Sequence, residues 1–285
     1  MCLLIALFQV VDEAPLIVAA NRDELFTRPA VTMTVLRDRD PRVLGGRDEL
    51  AGGTWLAVNE HGVVAGLTNQ PAPHGRDASK RSRGELPLAF AACRSAADAV
   101  RDVVPELDPA NYNPCWMLVG DRESLFSVGL ASGRQPAVTQ LGPGRHVLEN
   151  RPFGTPTAKT AQVTAMVAQV AGAGGPAAAA DALAGVLSDH RPAVDSPPAS
   201  SSPPAPPPPA APPAPGATGR VRPPELSAAC VHTPTYGTRS AMIITVSADG
   251  PPRLRVADGP PCEVPFRDAT GLWAAASADR DPARR

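Results

Sequence analysis

The chain has 285 residues, a formal net charge of −1 and an apolar content of 43%. A balanced charge argues against nucleic acid or an anionic membrane surface as a partner, and the apolar content can fill a substantial core. No apolar run approaches the ~20 residues of a transmembrane helix, and the first residues lack the basic segment of a secretory signal. We therefore expect a cytoplasmic protein without a transmembrane segment.

The cysteines and histidines give no metal-binding pattern along the chain. The five cysteines are scattered and contain no C-x-x-C pair, which argues against a disulfide framework, a zinc site and covalent haem attachment. The five histidines show no metal-ligand spacing either. We predict no metal site. The cysteines are Cys2, Cys93, Cys115, Cys230 and Cys262.

In chain order, the first predicted elements are two hairpins. Leu3–Phe8 and residues 16–20 are apolar runs separated by a polar segment that contains Pro15. Residues 55–58 and 63–68 flank a second short polar turn. Short apolar runs bounded by turn residues are typical of paired strands.

The pattern then changes to a helical period. Apolar residues recur every three or four positions from Leu86 to Val104, which indicates an amphipathic helix, and residues 82–85 match a capping box. Ser95 could begin a second helix, so one or two helices remain open. Strands are predicted at 116–119 and 125–128, followed by helices at 160–171 and 177–187.

Residues 195–224 are almost entirely proline, alanine and serine. Such a sequence cannot form a core, and we predict a disordered insertion in a surface loop of one domain formed by residues 1–194 and 225–285. Strands are expected again at 228–231, 241–246 and 253–256. The order of elements favours an α+β fold of two antiparallel sheets with helices outside them.

The second residue, Cys2, is the strongest candidate for a catalytic role. Removal of Met1 would leave Cys2 with a thiol and a free α-amine, which titrate at about 8.5 and 7.7–8. One residue would then supply both nucleophile and base. The alternative is that Cys2 is only a small apolar residue at the start of a strand.

Polar residues at the ends of predicted strands support the catalytic hypothesis. Arg22 and Asp23 follow the hairpin partner of the first strand, so Arg22 could stabilise a thiolate and Asp23 could hold the α-ammonium. Asn69 and Asn150 also follow apolar runs, and buried amides can donate to an oxyanion. The alternative is that these side chains are solvated strand ends or helix caps.

Two glycine pairs, at 45–46 and 52–53, suggest a phosphate-binding loop. The G-x-x-x-x-G-K-[ST] pattern is absent, however, and Asp48 and Glu49 add negative charge. We therefore predict a tight turn or a lip of a cleft there, and we assign Trp55 to the core.

Motifs throughout the chain resemble the NRDE family, also called the transport and Golgi organisation protein two family. They are Met1-Cys2, Asn21-Arg22-Asp23-Glu24, Arg28-Pro29, Leu44-Gly45-Gly46-Arg47-Asp48, Gly52-Gly53-Thr54-Trp55, Leu67-Thr68-Asn69, Ser82-Arg83-Gly84, Tyr112-Asn113-Pro114, Leu118-Val119-Gly120-Asp121 and Tyr236-Gly237-Thr238-Arg239. The chain departs from the family pattern at Glu149, where a serine is common, and lacks the usual tryptophan before Lys159.

The resemblance implies a four-layer αββα sandwich of two antiparallel sheets between helical layers, as in N-terminal-nucleophile hydrolases. The arrangement of polar residues is similar to that of choloylglycine and penicillin V acylase enzymes. The resemblance makes Cys2 the nucleophile and base, with Arg22 and Asp23 as partners. The remaining implied roles are an oxyanion amide at Asn69, a polar support at Asn150 and a cation near the thiolate or substrate at Arg239.

Three functions remain open at this point. The first is a cysteine-dependent hydrolase that cleaves an amide or thioester bond of a small acylated molecule and needs no cofactor. The second, implied by the resemblance alone, is a non-catalytic carrier of haem or of acyl-CoA or lipid in the same pocket. The third is an interaction protein that docks through the proline-rich segment. Removal of Met1 and reactivity of Cys2 would favour the first.

Overall fold

A computed structural model describes residues 2–70, 75–131, 134–170, 174–193 and 223–274. In this part of the chain, thirteen strands form two antiparallel sheets. The first sheet has the order β10-β1-β2-β11-β12-β13, with β1 Leu3–Phe8, β2 Leu16–Leu25, β10 Gly144–Leu148, β11 Tyr236–Val246, β12 Arg253–Ala257 and β13 Arg267–Asp268. The second follows chain order, with β3 Ala30–Arg37, β4 Val43–Asp48, β5 Leu56–Asn59, β6 Val64–Asn69, β7 Cys115–Gly120, β8 Leu125–Leu130 and β9 Ala137–Leu141.

Four α-helices cover the outer faces of the sheets. They are α1 Glu85–Ala91, α2 Ala96–Val103, α3 Ala158–Ala168 and α4 Pro176–Leu187. The first pair packs on the second sheet, and α3 and α4 pack on the first. None of the helices in the described ranges is long and apolar enough to cross a membrane.

Strand alternation explains the layers. In β1, Leu4 and Phe8 point into the core between the sheets, while Leu3 and Ile5 point towards α3 and α4. In β6 of the second sheet, Leu67 points away from the core between the sheets, towards α1 and α2. Central strands such as β1, β6 and β7 are buried on both faces, so they read as nearly continuous apolar runs. The predicted α+β fold, a four-layer αββα sandwich, is confirmed.

The predicted hairpins are confirmed, but β2 is longer than expected. Residues 21–24 do not follow the strand; they lie within it, and β11 pairs with β2 from Leu16 to Leu25. The backbone ladder supplies strand hydrogen bonds whatever the side-chain polarity, so apolar runs alone underestimate this strand.

The helical segment after residue 85 forms two helices. Ser95 caps α2 by accepting a hydrogen bond from the Asp98 N–H, which decides between the one or two helices that the sequence left open. The capping box at 82–85 is wrong, because Gly84 is the N-cap and provides no side-chain cap. The Gly84 carbonyl instead accepts the Thr54 N–H at 2.8 Å.

The strand predicted at 228–231 is wrong. These residues are buried but form no strand, and the Cys230 N–H donates to the Asp189 carbonyl instead of to a sheet neighbour. Strands β3, β4, β9, β10 and β13 were missed. Strand β9 is mostly exposed, β3 and β4 interleave polar and glycine residues, and β13 has only two residues.

The predicted insertion at 195–224 lies almost wholly outside the described residues. Its last two positions are described, and Pro224 begins a short 3₁₀ turn, Pro224–Ser227. After that turn the chain contributes β11, β12 and β13 to the first sheet, where β11 lies between β2 and β12.

Candidate active site

A cavity of about 480 Å³ lies where β1 begins and where β2, β6 and β10 end. Five of the six residues proposed from sequence line it: Cys2, Arg22, Asp23, Asn69 and Asn150. The volume of the cavity is in the range of small-molecule sites. Their catalytic roles remain predictions, but the fold does place them around a common space.

Cys2 is positioned by the pairing of β1 with β2. Leu3 is the register partner of Asn21, so Cys2 lies beside Arg22, and the Asp23 main-chain N–H donates a hydrogen bond to the thiol. Burial raises the pKa of the Cys2 thiol above its ordinary value, although this hydrogen bond and the charge of Arg22 act in the opposite direction.

The charge of Arg22 favours the thiolate, as the sequence suggested, but it is not the largest influence on the thiol pKa. Desolvation of the thiolate outweighs the nearby positive charge, so the resting thiol is protonated near neutral pH. A nucleophilic role for Cys2 therefore requires a base within reach, and the α-amine of the processed chain would be such a base.

Arg22 is held by an aromatic ring. Its guanidinium lies 4.5 Å from the centroid of Trp55, and the residue is only 4% exposed. It makes no side-chain hydrogen bond or ion pair within the described ranges, so its donors are available to a ligand. Burial lowers the pKa of Arg22 from its ordinary value, yet a guanidinium stays charged in proteins.

The position of Trp55 explains one of the glycine pairs. Trp55 belongs to the core between the sheets and also lines the cavity. A Cβ on Gly46 would lie 2.1 Å from a ring carbon of Trp55, so only glycine leaves room for the indole. The turn predicted at 45–46 is therefore wrong, because both glycines lie in β4.

Asp23 is held on several sides. The Thr238 hydroxyl donates to Asp23 Oδ1 at 2.7 Å, and the Tyr236 hydroxyl donates to the Asp23 carbonyl at 2.9 Å. Lys159 Nζ lies 3.9 Å from Asp23 Oδ2, and this lysine is only 3% exposed. These surrounding groups therefore hold the buried Asp23 side chain in the wall of the cavity.

Sequence reasoning missed the roles of Thr238 and Lys159. Thr238 was noted only as part of a motif, and Lys159 only as a position in the family pattern. A usable signal was present, since the chain has just two lysines among its 27 basic residues and Lys159 lies between apolar positions of a helix. A buried lysine usually has an acidic partner.

Asn69 and Asn150 contact each other directly. The Asn150 side-chain amide donates to the Asn69 main-chain carbonyl, and the Thr68 hydroxyl donates to the Glu149 carbonyl at 2.9 Å. The Asn69 side chain makes no hydrogen bond to the residues that the structure describes. Asn69 is thus the free amide donor, and Asn150 fixes its position.

Arg239 is not part of this cavity. Its guanidinium donates to the main-chain carbonyls of Leu25 and Phe26 at 3.0 and 2.6 Å and lies over the Phe26 ring. The β2–β11 register shifts between Thr238 and Ser240, which leaves Arg239 in a bulge. Bulges re-aim side chains, so the expected cation near the thiolate is directed elsewhere.

The cavity also contains arginines that the sequence did not single out. Arg28 is neutralised by Asp48 at 2.8 Å, and although burial raises the Asp48 pKa, hydrogen bonds from Arg28 and nearby N–H groups hold it below its ordinary value. Arg83 donates only to the Pro114 carbonyl, and Arg76 makes no bond or ion pair to described residues. Arg22, Arg76 and Arg83 together favour an anionic ligand.

The family model described as Transport and Golgi organisation 2 matches residues 1–256. The chain belongs to the transport and Golgi organisation 2 family. The Bos taurus Transport and Golgi organization protein 2 homolog is 32% identical over 252 residues, which cover 82% of this chain and 83% of that protein. The human homolog is 28% identical over 258 residues, with the same coverage.

Solved structures to which the chain is similar have a much lower sequence identity to it than these relatives do. Penicillin V acylase from Agrobacterium tumefaciens is 12% identical, and the alignment covers 94% of this chain and 97% of the acylase. Its TM-score is 0.40, which marks a loose likeness only.

Proposed function

We propose that the protein is an N-terminal cysteine hydrolase that cleaves the amide or thioester bond of a small acylated molecule. The observation that carries the proposal is the convergence of Cys2, Arg22, Asp23, Asn69 and Asn150 on one cavity. The first three supply a nucleophile, a cation and a carboxylate, and Asn69 supplies an unpaired amide. These are the groups that acyl transfer requires.

The first step uses the chain after removal of Met1. The α-amine of Cys2 takes the thiol proton while Sγ attacks the carbonyl carbon, and a C–S bond forms. The carbonyl oxygen becomes an oxyanion, to which the Asn69 amide donates a hydrogen bond. Burial of the thiol disfavours a free thiolate, so the proton leaves as attack occurs.

The second step releases the leaving group. The ammonium returns its proton to the leaving nitrogen or sulfur, the scissile bond breaks, and the acyl group remains on Cys2 as a thioester. Water then attacks the thioester with the α-amine again as base, and the carboxylic acid and free thiol result. Asp23 holds the α-ammonium in place each time it forms.

The cavity cations suggest the substrate class within this proposal. Arg22, Arg76 and Arg83 lack a carboxylate partner within 4 Å among the described residues, so a substrate with its own negative charge would fit best. N-acyl amino acids and acyl-CoA thioesters both have such a charge.

The test is hydrolysis of a panel of N-acyl amino acids and acyl-CoA thioesters by protein whose intact mass shows that Met1 is absent. Cys2→Ala should abolish turnover, while Cys93→Ala, which changes a cysteine outside the cavity, should leave it unchanged. A trapped acyl adduct on Cys2 would identify the intermediate by mass. Retained Met1 on protein from its native host, or turnover in Cys2→Ala, would overturn the proposal.

The second candidate is a carrier of haem or acyl-CoA. The same three arginines favour it, because both ligands have anionic groups that arginine binds. A carrier has no transition state to stabilise, so Cys2→Ala should leave acyl-CoA binding unchanged. Saturable haemin or acyl-CoA binding together with no hydrolysis of any panel member would favour the carrier.

A further inference from the structure

A second cluster of reactive side chains lies in a different part of the fold. Cys230 Sγ lies 3.6 Å from both Cys262 Sγ and His232 Nε2, and His232 Nε2 lies 3.1 Å from Cys262 Sγ. None of these residues lines the cavity that contains Cys2. Cys230 is buried, whereas Cys262 is exposed, so the cluster opens to solvent on one side.

We propose that Cys230, His232 and Cys262 bind a zinc ion. The ligand atoms all lie within 4.8 Å of one another. A tetrahedral zinc ion, with Zn–S about 2.3 Å and Zn–N about 2.0–2.1 Å, separates two sulfurs by roughly 3.8 Å and sulfur from nitrogen by roughly 3.6 Å. The three observed separations require only small adjustments to reach these values.

The surroundings of His232 support the assignment. Its Nε2 faces the two sulfurs, and its Nδ1 lies 3.9 Å from Glu263 Oε1. Histidines that bind metal commonly donate the N–H of the second ring nitrogen to a carboxylate, and a small movement of the exposed Glu263 side chain would bring it within hydrogen-bond distance. With two soft thiolates and one imidazole, the donor set suits zinc, and the fourth position is left for water.

The site would join three parts of the chain that are distant in sequence. The Cys230 N–H donates to the Asp189 carbonyl just after α4, and Ser188 Oγ donates to the Pro261 carbonyl beside Cys262. Sequence spacing predicted no zinc site, because the third ligand is thirty residues from the second and approaches it through the β11–β12 pairing and the contact of Ser188 with Pro261.

The proposed ion would also support the candidate active site from behind. Val231, between two ligands, donates its N–H to Thr238 Oγ1 at 2.8 Å and accepts the Thr238 N–H at 2.8 Å. The same hydroxyl donates to Asp23. Zinc would therefore immobilise the segment that positions Thr238, and its loss should lower the thermal stability of the protein.

The test is the zinc content of untagged protein purified under reducing conditions, measured by plasma mass spectrometry. One zinc per chain is expected. Cys262→Ser and His232→Ala should lose it, and Cys93→Ser should keep it. Glu263→Gln should retain the ligands but weaken zinc binding by about 10–100-fold. Circular dichroism confirms that each variant is folded.

Cobalt substitution provides a second readout that does not depend on activity. Co²⁺ in the wild-type protein should give thiolate charge-transfer bands and intense visible bands of a tetrahedral ion, and Cys262→Ser should lose them. Wild-type protein that binds neither zinc nor cobalt, or equal zinc content in wild type and Cys262→Ser, overturns the proposal. A Cys230–Cys262 disulfide in protein purified without oxidant also overturns it.

Discussion

At the scale of single residues, burial raises the pKa of the Cys2 thiol, and nearby groups act on it in both directions. Burial is the largest influence, while the Asp23 N–H and the Arg22 charge act against it. The thiolate is the form that reacts with alkylating agents, so a raised pKa means slow alkylation near neutral pH.

We predict that the rate at which iodoacetamide alkylates Cys2 keeps rising above pH 8.5, because the pKa of this thiol is higher than the ordinary value of about 8.5. Arg22→Ala should move the profile to higher pH, because it removes a charge that favours the thiolate. Arg81→Ala is the matched control, because Arg81 also lines the cavity but its charge is paired with Glu85 at 2.7 Å. Peptide mass spectrometry measures the rates, and a profile that levels off near neutral pH would contradict the prediction.

Lys159 provides the second test at this scale. Lys159→Met keeps the length of the side chain but removes the ammonium near the Asp23 carboxylate. Breaking a buried ion pair by removing one partner typically costs about 3–5 kcal/mol of unfolding free energy. Urea unfolding should show a loss of this order for Lys159→Met and a much smaller change for Lys80→Met, the other lysine.

A double variant separates charge from packing. Asp23→Asn combined with Lys159→Met removes both charges, so it should be more stable than the sum of the two single losses predicts. Strict additivity would show that the two side chains do not interact.

At the scale of elements, the pairing of β2 with β11 brings the site together. Thr238 connects three segments, because its hydroxyl donates to Asp23 and accepts the Val231 N–H. The adjacent bulge turns Arg239 away. A single strand pair thus determines which polar residues support the carboxylate and which leave the cavity.

We predict that Thr238→Val lowers the free energy of unfolding by about 1–3 kcal/mol, because the buried Val231 N–H loses its acceptor. Turnover should fall as well, since Asp23 loses a donor. Thr238→Ser keeps the hydroxyl and should retain most of both properties. Equal effects of the two substitutions would show that the methyl group matters more than the hydrogen bonds.

At the scale of the whole molecule, the two ends of the proline-rich region meet. Ser227 Oγ donates to the Ala193 carbonyl at 3.3 Å, so the described chain is in contact on either side of residues 194–222. The described residues on the two sides are therefore close enough to be joined by a short connection.

Replacing residues 194–222 with a Gly/Ser linker of ~7 residues should stabilise the protein by about 1 kcal/mol, because a shorter loop loses less entropy on closure. Urea unfolding measures the change. A Gly/Ser linker of the original length is the control and should leave stability nearly unchanged. A clear loss of stability in the short-linker variant would mean that the native segment contributes contacts to the fold.

The sequence by itself determined the two-sheet architecture and five of the polar residues that line the cavity. Apolar runs such as Leu3–Phe8 and the three-to-four spacing around α1 and α2 are local patterns, and local patterns specify strands and helices. Cys2, Arg22 and Asp23 follow from the first hairpin, because hairpin register fixes which residues are neighbours.

Only the tertiary structure decided the rest. Arg239 leaves the cavity because of a bulge, Lys159 reaches Asp23 because α3 packs on the first sheet, and Cys262 meets Cys230 because β11 and β12 pair. The sign of the Cys2 pKa shift depends on burial in the assembled fold. Each of these outcomes depends on contacts between residues that are distant in the chain, which periodicity and spacing do not encode.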